Sequence, residues 1–450
     1  MKKMLLATAA SLAFAPAMGM AQDLKFPVGE GDFNWDSFNA YAEANDFSGQ
    51  TIDITGPWTG ADDALFSSVI AYFEEATGAT VNYSGSDSFE QDIVISTQAN
   101  SAPNIAVFPQ PGLVADLAKR GAITPLDPST ADWIKENYAA GQSWVDLATF
   151  PGPDGNANLY AMPYKIDVKS LVWYVPEAFE EAGYEIPETM EDLKALTQQI
   201  VDDGGTPWCI GLGSGAATGW PATDWVEDMM LRTQEPSVYD QWVSHEIPFN
   251  DPAVVGAIEE YGWFAKNDDF VNGGSANVAT TDFRDSPGGL FQFPPECYMH
   301  HQATFIPTFF PEGTEMGTDV DFFYMPAYAE KDLGKPVLGA GTMFAITKDS
   351  ETAQGFIKFL QTPIAHEIWM AQSGFLTPYT EANTAVFPTD SQRALNDILT
   401  NATTFRFDAS DLMPGEIGAG AFWTGMVDYT TGADAQTVAD QIEERWKAIK

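Results

Sequence analysis

Cationic residues are scarce in this chain. Its 450 residues hold 21 lysines and arginines against 64 aspartates and glutamates, a formal net charge of −43. That balance repels phosphate backbones and anionic membrane surfaces, which argues strongly against nucleic acid and acidic lipid as partners. The acids are scattered instead of clustered, which suits a solvated acidic surface better than metal capture and leaves a cationic ligand open. Cysteine is nearly absent: Cys209 and Cys297 stand alone, with no C-x-x-C, a poor metal site. In an oxidising compartment the even pair predicts one disulfide, with two buried free thiols as the alternative. After the amino terminus, no apolar run reaches the ~18 residues of a membrane helix. Enzyme motifs are missing too. No G-x-S-x-G occurs, and His366-Glu367 lacks the second histidine of H-E-x-x-H. His300 and His301 are adjacent, so they face different ways on any regular element. Gly211-Leu-Gly-Ser-Gly-Ala216 sits mid-chain before a Trp-Pro turn and is not read as a dinucleotide loop. These gaps argue against an enzyme, a metal or an organic cofactor. A carboxylate pair for glycoside hydrolysis stays open, because so many acids supply many pairs.

What is present begins with an export signal. Lys2 and Lys3 precede an apolar run from Leu5 to Ala15, Pro16 breaks it, and Gly19-Met20-Ala21 offers small-x-small cleavage after Ala21. The expectation is an exported protein, most simply periplasmic, with residues 1–21 removed. At 45% hydrophobic and 13% aromatic, 450 residues exceed one ordinary core and predict two domains. Residues 22–48 read as a polar extension holding one short helix. Strands at 51–55, 80–83 and 105–108 alternate with helices at 62–77, 89–99 and 113–120, which implies parallel βαβ units. Further strands are expected at 160–164, 170–174, 208–212, 288–293 and 322–324. Helices are expected at 176–182, 189–202, 224–232, 252–266 and 436–449.

Gly339-Ala-Gly-Thr-Met-Phe-Ala-Ile-Thr-Lys348 reads as a glycine-rich loop entering a strand at Met343–Ile346, then an amphipathic helix through Phe356 and Phe359, then the turn Ser373-Gly-Phe-Leu-Thr-Pro378. This stretch resembles the extracellular solute-binding proteins of ABC importers, the sugar-binding family that includes maltose-binding protein. Phe73-Glu-Glu-Ala-Thr-Gly-Ala-Thr-Val-Asn82, Ala161-Met-Pro-Tyr-Lys-Ile-Asp167, Ile186-Pro-Glu-Thr-Met190 and Gly420-Ala-Phe-Trp-Thr424 are similar to that family's segments in the same order. Length, the extension and Pro294-Pro-Glu-Cys-Tyr298 look most like its alpha-glucoside-binding members. The resemblance implies an α/β, two-lobed periplasmic-binding-protein fold (type II) whose lobes are discontinuous in sequence and joined by a hinge. Residues 49–163 plus 326–380 would form the first lobe, and 164–325 plus 381–450 the second, with crossings near Tyr164, Met325 and Thr380. It also implies a monomer that hands an oligosaccharide to inner-membrane ABC permease subunits without chemistry. A polyamine or polyol ligand, or an exported glycoside hydrolase, are the alternatives.

Sugars offer C–H faces to aromatic rings and hydroxyls to paired donors and acceptors. Trp58 follows the first strand, with Asp62 after it. Asp87 follows the second strand and Gln110 the third, so all four stand where open sheets bind ligands, although Asp62 and Asp87 also suit helix caps. The resemblance adds Tyr164 and Asp167 at the first crossing, Trp220 in Thr218-Gly-Trp-Pro221, Tyr298 as an aromatic platform and Trp423 as a stacking ring. Gly341 and Thr342 supply backbone and hydroxyl contacts, and Phe375 lies in the glycine-turned loop.

Overall fold

The computed structural model describes residues 24–401 and 404–449. The expected signal at 1–21 and its cleavage after Ala21 lie outside them. Eleven strands are described: β1 (Thr51–Gly56), β2 (Thr80–Gly85), β3 (Ile105–Phe108), β4 (Thr149–Pro151), β5 (Ala157–Leu159), β6 (Ala161–Val168), β7 (Leu171–Tyr174), β8 (His300–His301), β9 (Asp321–Tyr324), β10 (Pro336–Ile346) and β11 (Thr404–Phe407).

The first lobe is built on a six-stranded sheet in the order β11-β10-β3-β1-β2, with β6 also on β10. β1 runs parallel to β2 and β3, as the βαβ reading required. β3, parallel to β1 and antiparallel to β10, is the unbroken apolar run Ile-Ala-Val-Phe, buried at every position as a central strand covered on both faces must be. The Ala61–Thr77 helix lays Phe66, Val69 and Phe73 on the sheet, and Gly78 ends it in the left-handed conformation, φ 71°.

β10 is where the sequence reading needs correcting. Gly339–Thr342 is not a loop but the middle of an eleven-residue strand. Its glycines answer to crowding between strands. A Cβ on Gly339 would stand 2.1 Å from the Phe405 ring of β11, and one on Gly341 would stand 2.8 Å from the Lys165 carbonyl oxygen of β6.

Residues 24–48 form a strap on the first lobe. Trp35, Phe38 and Tyr41 of the Trp35–Ala44 helix are buried, and Trp35 and Phe38 meet Tyr72. Tyr72 Oη donates to the Phe26 carbonyl (2.6 Å), Tyr41 Oη donates to Gly355 O (2.7 Å), and the Asn34 N–H donates to Glu367 Oε2 (2.6 Å).

The second lobe centres on the three-stranded sheet β8-β7-β9 and on helices Met190–Asp202, Trp220–Thr233, Pro252–Ala265 and Ala435–Ala448. Thr189 and Asp192 cap the first of these reciprocally. Trp208, Trp225 and Phe264 stack edge-on in its core. Cys209 and Cys297 are joined by a disulfide across 88 residues. In the chain-entropy account such a loop contributes roughly 4–5 kcal/mol.

Two expected strands differ. Ser286–Phe291, with Pro287 lacking a donor, is a short 3₁₀ turn. Trp208–Leu212 makes only single bridges, from Trp208 to Val271 and Met299 and from Gly213 to Asp282. The third crossing also moves. β11 pairs in parallel with Pro336–Gly339, so the chain leaves the large sheet at Phe407–Asp408 and not near Thr380. Ile306, Phe310, Met316 and Val320 join a core cluster that runs from the large sheet to Trp173, Cys209 and Cys297 of the second lobe. The crossings are tied together near Ser170: Met325 N donates to Ser170 O, Leu338 N to Ser170 Oγ, and Asp408 N to Gly339 O.

Candidate functional site

The carboxyl ends of β1, β2 and β3 open into one cavity of about 150 Å³, at Pro57-Trp58, Ser86-Asp87 and Pro109-Gln110. This is where open α/β sheets bind ligands. The floor comes from β6 and β10, with Lys165, Asp167, Lys169 and Ala340–Thr342. The second lobe supplies Ser214, Trp220, Phe283, Arg284 and Trp423. Asp408, Ser410 and Asp411 enter from the third crossing.

Nine of the twelve residues singled out by sequence line this cavity: Trp58, Asp62, Asp87, Gln110, Asp167, Trp220, Gly341, Thr342 and Trp423. Tyr164, Tyr298 and Phe375 stand elsewhere. Tyr164 shares β6 with Asp167, three positions away, and strand side chains alternate faces. Lys165 and Asp167 face the cavity, while Tyr164 faces the core, donating to Ala365 O and packing on Phe344 and Phe375. Phe375 fills the same core against Trp369, 5.2 Å between ring centres. Tyr298 packs on Tyr184 at 5.3 Å.

Neither Asp62 nor Asp87 is a helix cap. Gly60 and Ser88 hold the cap positions. Asp62 sits in the first turn, with Oδ1 shut off from solvent and without a partner. Burial pushes its carboxyl up to about 7, against the pull of Lys165 and Arg284. Lys165 Nζ donates to both oxygens of Asp167 (2.6 and 2.7 Å), a buried pair, and Thr304 Oγ1 donates to Asp167 Oδ1 (2.9 Å). Gln110 Nε2 donates to Glu90 Oε1 (3.0 Å), leaving Gln110 Oε1 unpaired. Thr342 Oγ1 and Trp423 Nε1 are also buried without partners. With Arg284 Nε, five cavity residues thus keep a polar atom free that burial ordinarily forbids.

The sequence reading missed Lys169, Arg284, Asp408, Ser410 and Asp411. Arg284 had a usable signal, a rare cation beside an aromatic in Asp282-Phe-Arg-Asp285. The acids had none, being three of 64 with Asp224 counted. The fold also gathers acids that look scattered along the chain. Oxygens of Asp224, Glu227 and Asp408 lie within 4.8 Å of one another. An ammonium already holds two of the three: Lys169 Nζ donates to Asp224 Oδ1 (2.6 Å) and to Asp408. Burial alone would lower Lys169, but Asp224, Asp408 and Asp411 outweigh it and hold the ammonium well above its usual range. Burial raises the carboxyls of Asp224, Glu227 and Asp411.

Among the described residues, the cavity walls carry no histidine or cysteine. What they present is three indole rings, unpaired donors and acceptors, and carboxylates held by cations. That is equipment for binding a polyhydroxylated molecule.

A family model for bacterial extracellular solute-binding proteins matches residues 57–367. The chain belongs to that family. The match starts at Pro57 on the cavity rim and runs through β10. The alpha-glucosides-binding periplasmic protein AglE of Rhizobium meliloti (strain 1021) is 63% identical, over 96% of this chain and 94% of its own. The osmoprotective compounds-binding protein GgtB of Synechocystis sp. is 41% identical, over 88% and 92%. Among solved structures, the solute receptor AcbH superimposes with a TM-score of 0.75 at 18% identity, covering 88% of this chain and 98% of its own. The two-lobed arrangement is therefore the type II fold of this family's sugar receptors.

Proposed function

We propose that this protein is the periplasmic binding component of an ABC importer and that it closes its two lobes on a small α-glucoside. The observation that carries this reading is the set of buried, unpaired polar atoms on Asp62, Gln110, Thr342 and Trp423 around one cavity with three indole rings. Vicinal hydroxyls would pair the free atoms, and the sugar's C–H faces would stack on Trp58, Trp220 or Trp423. The 63% identity to an alpha-glucosides-binding protein supports the ligand class. Ligand that touches both lobes favours the closed state by its differential affinity, and the closed form is what a permease would recognise. The chain acts as a monomer and does no chemistry. A second reading is favoured by the 41% identical relative named for osmoprotective compounds and by the small cavity: a compact polyol derivative as ligand.

Calorimetric titration of the mature chain with maltose, trehalose, sucrose and spermidine, alongside tryptophan fluorescence, tests the reading. A disaccharide should saturate the protein at roughly micromolar concentration with no product formed, and Trp423→Ala should weaken it about tenfold or more. Binding of spermidine alone, weakening with salt, would replace the sugar by a polycation. Turnover of a chromogenic glycoside would overturn the class.

A further inference from the structure

Arg284 reaches across the cavity from the second lobe to the first. Its Nη2 donates to Asp87 Oδ1 (2.6 Å) and to Thr59 Oγ1 (3.2 Å), both on first-lobe segments that follow strands. The guanidinium lies over Phe283 (4.4 Å) and Phe309 (5.7 Å), which fixes its direction. Beside it the second-lobe backbone closes on the same aspartate: a Cβ on Gly215 would stand 3.0 Å from Asp87 Cβ. The bridge lies on the cavity's rim, where it meets water. Side chains of Arg284 and Asp87 are 20% and 42% exposed, whereas Trp58, Asp167 and Thr342 behind them are buried. The cavity volume, about 150 Å³, falls well below the ~300–1,000 Å³ of usual small-molecule sites.

We propose that Arg284 is a specificity-determining gate: by bridging to Asp87 and Thr59 it shuts the mouth on ligands of one or two sugar rings and turns away longer chains. This rests on the α-glucoside reading and narrows it. A third ring would have to pass through the bridge, breaking a charge-assisted bond that the closed state otherwise makes. Two rings or fewer leave it intact.

The test is a length series, maltose, maltotriose and maltotetraose, titrated into wild type, Arg284→Ala and Asp87→Ala. Wild type should bind maltose at least about tenfold tighter than maltotetraose. Both variants should narrow that ratio by roughly three- to fivefold, the scale a partly exposed ion pair supplies. Loss of a mere sugar contact would weaken all three sugars alike and leave the ratio untouched. Equal wild-type affinity for the three sugars, or an unchanged ratio in both variants, overturns the gate. If wild type binds none of them, the α-glucoside reading fails, and the gate is decided without ligand. Spin labels on Ile95→Cys and Ile186→Cys, exposed positions on the two lobes, report the lobe–lobe distance. A shift to longer distances in Arg284→Ala supports the bridge as the closing contact. An unchanged distribution overturns it.

Discussion

Asp62 carries the most informative titration at the scale of single residues. Its carboxyl is pushed up to about 7 by burial, with Oδ1 unpaired in the ligand cavity. A raised pKa favours the protonated acid in the folded chain. Its stabilising effect is therefore complete below the ordinary carboxylate pKa and is lost as pH climbs through about 7. Asp62→Asn should remove that slope. Relative to wild type, the variant should gain on the order of 1–3 kcal/mol between pH 5 and pH 8, read from urea midpoints. A wild-type midpoint that rises over the same range while the variant stays flat would contradict the assignment. Asp62 also shows how far the sequence could be read. Its place after β1 marked it as a ligand candidate, and its place at a helix start marked it as a cap. Only the structure separates the two, because Gly60 holds the cap position. Tyr164 lies off the cavity for a simpler reason. Strand alternation allows Tyr164 or Asp167 on the cavity face, not both, and the period-two rule was available in the sequence.

Elements were legible where their signals are local. The Ala61–Thr77 and Pro176–Ala182 helices, and the strands β1, β2 and β3, follow apolar spacing, glycine stops and proline starts within their own residues. β10 was half-read, because its glycines look like a loop until the neighbouring strands are known. Gly341→Ala tests what they are for. A Cβ there meets Lys165 O and Ile166 Cδ1, each at 2.8 Å, so β6 must move away from β10. The expected loss is about 1–3 kcal/mol of stability. Ligand affinity should fall with it, since Lys165 and Asp167 ride on the displaced strand. Unchanged urea midpoint and affinity would show that the strands have slack. The amino-terminal strap gives the converse case, an element that does not line the cavity. Trp35 is 8% exposed and packed on Phe33, Phe38 and Tyr72. Trp35→Ala should cost roughly 3–5 kcal/mol in calorimetric unfolding and leave sugar affinity within error.

For the whole molecule, the lobe boundaries were the hardest feature to read, since they are set by pairing between distant segments. Thr404–Phe407 is four residues long, and its partner Pro336–Gly339 lies far back in the chain. Nothing local marks the crossing at Phe407–Asp408, and Asp408, Ser410 and Asp411 were missed with it. Net charge acts at the same scale, and it sets two salt responses of opposite sign. With 64 acids against 21 bases, the compact chain repels itself. Raising ionic strength from about 0.01 to about 0.15 M shortens the Debye length from ~30 to ~8 Å and screens that repulsion, so the unfolding temperature should rise. The Arg284–Asp87 bridge is partly exposed, so the same salt weakens it while sparing the buried Lys165–Asp167 pair. Release of bound sugar, followed by stopped-flow fluorescence, should therefore speed up by a few-fold as the fold itself becomes more stable. In Arg284→Ala the thermal response should persist and the kinetic response should vanish. Release that slows with salt in wild type would mean that global repulsion, and not the bridge, controls opening of the cleft.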